Sequence, residues 1–308
     1  MADLPDATRL RQLAAIVRHR SFAKAAEVLG ITQPALSRNV KALERELGVK
    51  LLERGRFGAI PTQFGQALAR RSDAVDAELR IAGEEIRALR NGRAGGVAIG
   101  CGPAEATRLL PLALERMHAQ SPNIKVTVLY GLNAALVPMV AHGDVDFALS
   151  SIPTGGRGSE LKQIFLHEDR GIVVASAQHK LASRGRPVAL ADTLSERWVL
   201  ARPEELERRA IDEAFVAHNL EPPVPDIETT SAFLMKTLVQ ENGFLSYFPR
   251  ELVCRELDAG VLTNLRIPGV DWRRLVGVTL RSRSALSPAA EAALSSLRSV
   301  AKSFGDHI

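Results

Sequence analysis

A group of polar and cationic side chains near the N terminus has the residue types that read DNA. Its members are Gln33, Ser37, Arg38, Lys41 and Arg45. Arg and Gln can make paired hydrogen bonds to base edges in the major groove, and Ser and Lys can hold phosphate oxygens. Their spacing would place these side chains on the outward face of a helix. We predict that Gln33, Ser37 and Arg38 contact base edges.

A second candidate for chemistry is Cys101, which precedes a predicted helix. A helix N terminus lowers the pKa of a thiol, so a thiol-dependent enzyme or a redox sensor is one interpretation. The seven histidines, however, are scattered without a spacing that suggests a base or a metal partner. Cys254 lies 153 positions away, which excludes a disulfide framework and a paired zinc site. We expect no metal and no cofactor.

The excess positive charge of the chain lies entirely in its N-terminal part. The formal net charge is +5, and residues 1–65 hold 11 Lys and Arg against 6 Asp and Glu. The remaining residues hold 29 of each sign. This distribution is expected if the N-terminal segment neutralises phosphates and the rest of the chain does not.

Length and composition indicate a globular protein of several domains. A chain of 308 residues fits two or three compact units. Its content of 46% hydrophobic and 24% charged residues is typical of globular proteins. No stretch approaches the ~18 apolar residues of a membrane span, and charges interrupt the region where a signal peptide would have its apolar core. We expect a cytoplasmic protein without a membrane partner.

Three short helices would position the polar group near the N terminus. Apolar residues recur at helical spacing over Leu10–Val17 and Phe22–Leu29, and a third helix is predicted over about Gln33–Leu47. The residues that would cap and separate these helices are Ser21, Gly30, Thr32 and Pro34. A helix, a glycine turn and a polar helix form the arrangement that a major-groove reader requires.

A wing hairpin is predicted directly after this unit. Leu51 and Leu52 lead into the run Glu53–Arg56, whose arginines Arg54 and Arg56 could reach the DNA backbone or the minor groove. A solvated charged loop is the alternative for the same residues.

The run SFAKAAEVLGITQPALSRNVKALERELGVKLLERGRFGAIPTQFG, residues 21–65, resembles the winged helix-turn-helix of LysR-type transcriptional regulators. The matching parts are Ser21-Phe22, Ala25-Ala26, Gln33 to Ser37, Leu43-Glu44, Leu47-Gly48, Leu52 to Arg54, Thr62 and Gly65. The stretch Gly55–Gly58 at the wing departs from the pattern. The resemblance implies a DNA-binding domain over residues 1–62. The predicted DNA contacts are Ser21, Thr32, Gln33, Pro34, Ser37, Arg38, Lys41, Arg54 and Arg56.

A long helical pattern without proline runs from the N-cap Thr62 to about Arg90 and predicts a linker helix over residues 63–91. Two copies are expected to dimerise through an apolar seam at coiled-coil spacing, and packing of the helix on its own domain is the alternative. The seam residues are Leu68, Val75, Leu79, Ala82, Ile86 and Leu89. A dimer would let two DNA readers contact half-sites about one helical turn apart. The run Asn91–Gly96 is expected to end the helix as a hinge.

Beyond residue 92, short strand patterns alternate with helical patterns, which predicts an α/β sheet. The predicted strands are 97–100, 124–130, 145–150, 161–166, 171–175, 198–200, 226–229, 243–247, 261–265 and 276–281. The predicted helices are 109–117, 132–141, 204–218 and a helix that begins at Ala232. The last two strands would cross back and join two lobes.

This part, over residues 92–304, resembles the two-lobed, periplasmic-binding-protein-like effector domain of LysR-type regulators. The supporting pieces are Leu109 to Pro111, Ser121-Pro122, Gly143 to Ala148, Gly243-Phe244 and Phe248-Pro249. The predicted fold class is therefore α/β, with an N-terminal all-α winged helix-turn-helix, a long linker helix and a two-lobed effector domain over residues 92–308.

An effector would lie between the lobes, where strand ends and helix N termini favour anions. The predicted site residues are Gly100, Cys101, Gly102, Tyr130, Gly131, Ser150, Ser151, Ala201, Arg202 and Thr229. The family pattern often has Ser or Thr at the first loop, so backbone donors or the Cys101 thiol would substitute here. Arg202 suits a carboxylate clamp, and a merely exposed arginine is the alternative.

The resemblance implies a regulator whose binding to double-stranded DNA, or whose activation of a promoter, is controlled by a small-molecule effector, either a carboxylate or another metabolite. It also implies a homotetramer built from dimers, DNA bending and contact with RNA polymerase. Two alternatives remain open: a solute-binding module without regulation, and a thiol-dependent enzyme that uses Cys101.

Overall fold

The computed structural model describes residues 6–55, 58–91, 95–152, 161–183, 187–270, 272–282 and 285–307. The chain divides into two compact units. The first consists of Met1–Gly92 with Ala141–Asp144, and the second of Arg93–Val140 with Val145–Ile308. Within the described ranges, no helix is long and apolar enough to cross a bilayer.

The first unit opens with the helices α1 (Ala7–His19), α2 (Phe22–Leu29) and α3 (Gln33–Leu47). Ser21 and Thr32 cap α2 and α3, because their side-chain oxygens accept hydrogen bonds from first-turn N–H groups at 3.3 and 3.4 Å. Gly30 ends α2 with a φ of 66°, which a residue without Cβ adopts without steric cost. The helices share a core of Ile16, Ala25, Ala26, Leu36 and Val40. The predicted helices, caps and turn are confirmed.

The wing consists of β1 (Leu52–Gly55) and β2 (Gly58–Pro61), which pair antiparallel. The predicted hairpin is therefore confirmed as backbone structure. Arg56 and the side chain of Arg54 lie outside the described residues, so their contacts with DNA stay a prediction.

The linker helix α4 (Gln63–Asn91) begins at the predicted N-cap, where the side-chain oxygen of Thr62 accepts a hydrogen bond from the N–H of Gly65 at 3.1 Å. The start of α4 packs on its own unit, because Leu68 contacts the buried cluster of Leu13, Leu43 and Leu51. Further along, the seam residues Val75, Leu79 and Ile86 are 45%, 54% and 60% exposed. Leu68 therefore packs within its own unit, as the alternative interpretation expected, and dimerisation through the exposed seam residues stays a prediction.

Strands and helices alternate through the second unit. The strands are β3 (Gly96–Cys101), β4 (Lys125–Tyr130), β5 (Phe147–Ser151), β6 (Leu161–Ser176), β7 (Val199–Leu200), β8 (Ile227–Glu228), β9 (Ser246–Pro249), β10 (Leu262–Asn264) and β11 (Trp272–Arg281). The helices are α5 (Pro103–Thr107), α6 (Leu109–Gln120), α7 (Asn133–His142), α8 (Leu206–Ala217), α9 (Ala232–Asn242), α10 (Cys254–Asp258) and α11 (Pro288–Ala301). Short 3-10 helices lie at Leu190–Thr193, Arg250–Val253 and Lys302–His307.

Two lobes share one mixed sheet. Among the described residues, its strand order is β10-β6-β11-β5-β3-β4, and β9 pairs with β6. The first lobe has parallel strands β3, β4 and β5, and its core includes apolar residues of α6 and α11. The second lobe has a parallel pair, β7 and β8, and two cores to which α8 and α9 contribute. The strands β6 and β11 run antiparallel and connect the lobes.

Three expectations about these elements were wrong. The strand at 261–265, β10, pairs with the end of β6 and does not join the lobes, so the strand that crosses beside β11 is β6. The strands predicted at 161–166 and 171–175 are one continuous strand, β6, because the polar residues between them pair with the start of β11. The sequence interpretation also omitted α11, an amphipathic helix whose N-cap Ser287 accepts a hydrogen bond from the N–H of Ala290 at 3.2 Å.

Candidate functional site

The outer face of α3 carries most of the residues predicted to contact DNA. Gln33, Arg38 and Lys41 are exposed and Ser37 is half-buried, whereas Leu36 on the opposite face is fully buried. Because the apolar face of α3 packs in the core, the polar side chains lie on the opposite, solvent-facing side of the helix. Thr32 and Pro34 lie exposed at the start of this helix.

A depression of about 630 Å³ extends this surface toward the wing. Its lining consists of Arg38, Lys41, Glu44, Arg45, Gly48, Val49 and Lys50. The cations outnumber the one carboxylate, whose backbone partners lie at the wing. The sequence placed Arg45 on the outward face of α3 but not among the predicted DNA contacts, and Lys50 was in neither set.

Three of the predicted effector loops come together at one edge of the first lobe. Cys101 is paired with Tyr130 on one side and Leu149 on the other, at the carboxyl ends of β3, β4 and β5. The N–H of Gly131 donates to the carbonyl of Cys101 at 3.1 Å, and the N–H of Gly102 donates to Leu149 at 2.9 Å. The loops at residues 100–102, 130–131 and 150–151 are therefore neighbours.

Asn133 adds a polar side chain that sequence reasoning missed. Its Nδ2 donates to the carbonyl and the Oγ of Ser151, at 2.9 and 2.8 Å. Its Oδ1 is buried and has no hydrogen-bond partner in the described part of the chain. Asn133 is the first residue of α7 and follows the predicted effector loop at 130–131 closely. That position in the sequence could have identified it as a candidate site residue.

The Cys101 side chain faces the core of the first lobe and is fully buried. Its Sγ donates to the carbonyl of Gly102 at 3.4 Å. Burial raises the pKa of the thiol, and the nearby carboxylate of Glu105 raises it further. A buried thiol with a raised pKa is a poor nucleophile, so the geometry disfavours the thiol-enzyme alternative.

The second lobe places two of the predicted residues side by side. The N–H of Thr229 donates to the carbonyl of Leu200 at 3.1 Å, which brings Thr229 next to Ala201 at the ends of β7 and β8. The side chain of Arg202 is 61% exposed and lies 3.5 Å from Glu204. This environment fits the alternative of an exposed arginine, and its role as a clamp stays a prediction.

Arg274 is the centre of a buried ionic cluster that the sequence did not reveal. Its guanidinium lies 2.6 Å from Glu105 of α5, 3.2 Å from Asp169 of β6 and 3.5 Å from Glu207 of α8. Burial would lower the pKa of Arg274, but the carboxylates, Glu105 first, raise it, so the side chain stays charged. The four residues come from distant segments, and no spacing could have grouped them. They bring α5 of one lobe and the first turn of α8 in the other to one guanidinium.

Comparisons with known proteins agree with this architecture. Residues 7–66 match the family model described as the lysR-family bacterial regulatory helix-turn-helix protein. Residues 90–302 match the model of the LysR substrate binding domain.

The HTH-type transcriptional regulator GbpR of Azospirillum brasilense is 29% identical, covering 94% of this chain and 84% of that one. An SDS degradation transcriptional activation protein of a Pseudomonas species is 31% identical, over 93% and 94% of the two chains. The solved structure of ArgP from Mycobacterium tuberculosis superposes with a TM-score of 0.68 at 18% identity, over 97% and 98%, which supports the fold.

Proposed function

Since the chain belongs to the LysR family of bacterial transcriptional regulators, we propose that a small molecule held between its two lobes controls how its helix-turn-helix binds a promoter. A ligand that binds one arrangement of the lobes more tightly shifts the population toward that arrangement. The shift would change the spacing of the DNA readers in an oligomer, and with it the binding or bending of DNA. The observation that supports this mechanism best is the presence of a helix-turn-helix with a polar, cationic outer face and a LysR substrate binding domain in one chain.

The proposed DNA contacts lie on α3 and the wing, within a DNA-binding domain of residues 1–62. Gln33, Ser37 and Arg38 would contact base edges, because they project from the N-terminal half of α3. Lys41 would hold phosphates, and Arg45 and Lys50 extend the cationic surface next to it. The remaining predicted contacts are Ser21, Thr32, Pro34, Arg54 and Arg56.

The proposed effector site lies in residues 92–308, at the strand ends that carry Gly102, Tyr130 and Ser151 in one lobe and Ala201 and Thr229 in the other. Their adjacent backbone groups support this assignment. We include Asn133 and Glu105 among the site residues, since both have a buried oxygen without a hydrogen-bond partner in the described part of the chain.

The linker helix, residues 63–91, is proposed to form a homodimer through its exposed apolar residues. Val75, Leu79 and Ile86 would be covered by a second copy, which removes their apolar surface from water. Assembly of two dimers into a tetramer and contact with RNA polymerase in the cytoplasm complete the proposal. The protein would act as a regulator and not as an enzyme.

A gel-shift experiment with the intergenic DNA upstream of the protein's own gene tests this function. Wild-type protein should retard the duplex, and Arg38→Ala should need a higher protein concentration for the same retardation. Arg116→Ala, which removes an exposed cation of the second unit, should bind as wild type does. Turnover of a substrate that Cys101→Ser abolishes, with DNA retention intact, would favour the enzyme alternative.

A further inference from the structure

The ionic cluster around Arg274 carries more negative than positive charge. Glu105, Asp169 and Glu207 each place a carboxylate oxygen within 3.5 Å of its guanidinium. Among the described residues around this group, Arg274 is the only cation in direct ionic contact with these three carboxylates. One cation therefore faces three carboxylates, of which Glu105 and Asp169 are buried and Glu207 is partly exposed, and uncompensated charge is costly in a buried place.

The charges packed beside this cluster do not remove the excess. Arg108 lies 3.7 Å from Glu251, so these two groups offset each other. His167 lines the same region and, even when protonated, would offset only one charge. In the second lobe, Glu205 is also buried, and burial, then Glu207 and Glu204, raise its pKa. Arg170 and Arg250 line the same region as His167, but both are exposed, so the buried groups added by the surroundings are mainly acidic.

Glu105 provides an independent observation that points to a ligand. Its side chain is only 3% exposed, and its Oε2 has no hydrogen-bond partner in the described structure. A Cβ on Gly102 would lie 2.3 Å from this Oε2 and 3.5 Å from the Cβ of Ser150. The carboxylate therefore takes the space of a side chain at residue 102, between the ends of β3 and β5. This is the proposed effector site.

We propose that the effector carries a protonated amine or a comparable cationic group that lies against Glu105 and Glu207. This inference rests on the effector site proposed above and names the chemical class that it selects. A cation there would supply the missing donor to the Oε2 of Glu105 and offset part of the excess negative charge. Because Glu105 belongs to one lobe and Glu207 to the other, such a ligand would also favour one arrangement of the lobes.

Butylamine and butyrate test the proposal, because they share a short alkyl chain and carry opposite charges near neutral pH. Diaminobutane serves as a second cationic probe. The melting temperature of the full-length chain is measured with each compound at constant ionic strength. The two amines should raise it and butyrate should not. Stabilisation by butyrate equal to or greater than that by the amines would overturn the proposal.

Variants then locate the cation. Glu105→Gln and Glu207→Gln should each weaken amine binding by about tenfold or more, since each removes a charge-assisted contact. Glu213→Gln, an exposed change on the same α8, should bind as wild type does. Glu207 lies partly exposed, so its variant remains informative if Glu105→Gln does not fold. Wild-type affinity in both variants would contradict the assignment.

Parallel gel shifts separate this inference from the proposed function. If butyrate changes the retardation of DNA and the amines do not, the proposed regulatory function stands and the proposal of a cationic effector is overturned. Amine binding without any DNA affinity would overturn the regulatory function alone. Stabilisation by lower pH, without an effect of either amine, would mean that protons and not a ligand offset the charge, and would also overturn the inference.

Discussion

The carboxylate of Glu44 accepts a hydrogen bond from the backbone N–H of Leu51 at 2.9 Å. Glu44 lies on the DNA-reading helix α3, and Leu51 immediately precedes the first strand of the wing. The same oxygen also accepts from the N–H of Leu52 at 3.3 Å. One side chain therefore fixes the start of the wing relative to the helix that would enter the major groove.

Glu44→Ala should lower the free energy of unfolding of the first unit by about 1.5–3 kcal/mol, because two backbone donors lose a charged acceptor. Urea denaturation followed by circular dichroism measures the change. Glu46→Ala is the matched control, since Glu46 makes a more exposed ion pair with Arg9 at 3.0 Å. The free energy of unfolding of Glu46→Ala should fall by less than about 1 kcal/mol. Equal losses in the two variants would contradict the role of Glu44.

Stability should also depend on pH through Glu44. Burial alone would raise the pKa of this carboxyl, but the N–H groups of Leu51 and Leu52 and the nearby Lys50 lower it below the ordinary 4.5. A folded-state pKa below the unfolded value means that the stabilisation is complete above about pH 4.5. It is lost as the pH falls through the lowered folded-state value. The stability difference between wild type and Glu44→Gln should shrink in that pH range. A difference that does not depend on pH would contradict the stabilising role of the Glu44 carboxylate.

Arg274→Met should destabilise the second unit by about 3–5 kcal/mol, because it leaves the buried carboxylates of Glu105 and Asp169 without their cation. Differential scanning calorimetry measures the loss. The neighbouring Arg273→Met is the control, since Arg273 is exposed and lies 3.7 Å from Glu168. A similar loss of stability in both variants would show that the buried ionic cluster does not cause the destabilisation.

Replacement of Leu79 and Ile86 by glutamate should dissociate the proposed dimer. Both side chains are exposed in the single chain, and charges there would not tolerate burial against a second copy. Sedimentation velocity should show a smaller species than wild type. Val224→Glu, at an exposed position of the second unit, should leave the mass unchanged. An unchanged mass in the double variant would place the dimer contact elsewhere.

Local signals in the sequence predicted the first unit well. Ser21, Thr32 and Thr62 are N-caps whose hydrogen bonds involve residues only a few positions away, so short motifs carry the information. The alternation of strands and helices predicted the α/β domain for the same reason. Contact of the predicted residues with DNA and with an effector stays a prediction.

Local sequence patterns could not predict features that are formed by residues far apart in the chain. The polar stretch inside β6 was interpreted as a break between strands, because its pairing with β11 brings together residues about a hundred positions apart. Glu105 and Arg274 lie 169 positions apart, and neither residue has a local pattern that indicates burial. Cys101 was considered as a thiolate near a helix N terminus, whereas burial decides its pKa.

The salt dependence of binding tests the central claim, that the outer face of α3 lies in a DNA groove. Affinity for the upstream duplex is measured by fluorescence anisotropy across a range of salt concentrations. Affinity should fall steeply with salt, and Lys41→Ala should reduce the slope of log affinity against log salt by about two per dimer, as loss of one phosphate contact in each of two DNA readers predicts. Arg38→Ala should instead reduce discrimination between this duplex and an unrelated one. Salt-independent affinity, or no affinity for any duplex, would contradict the account.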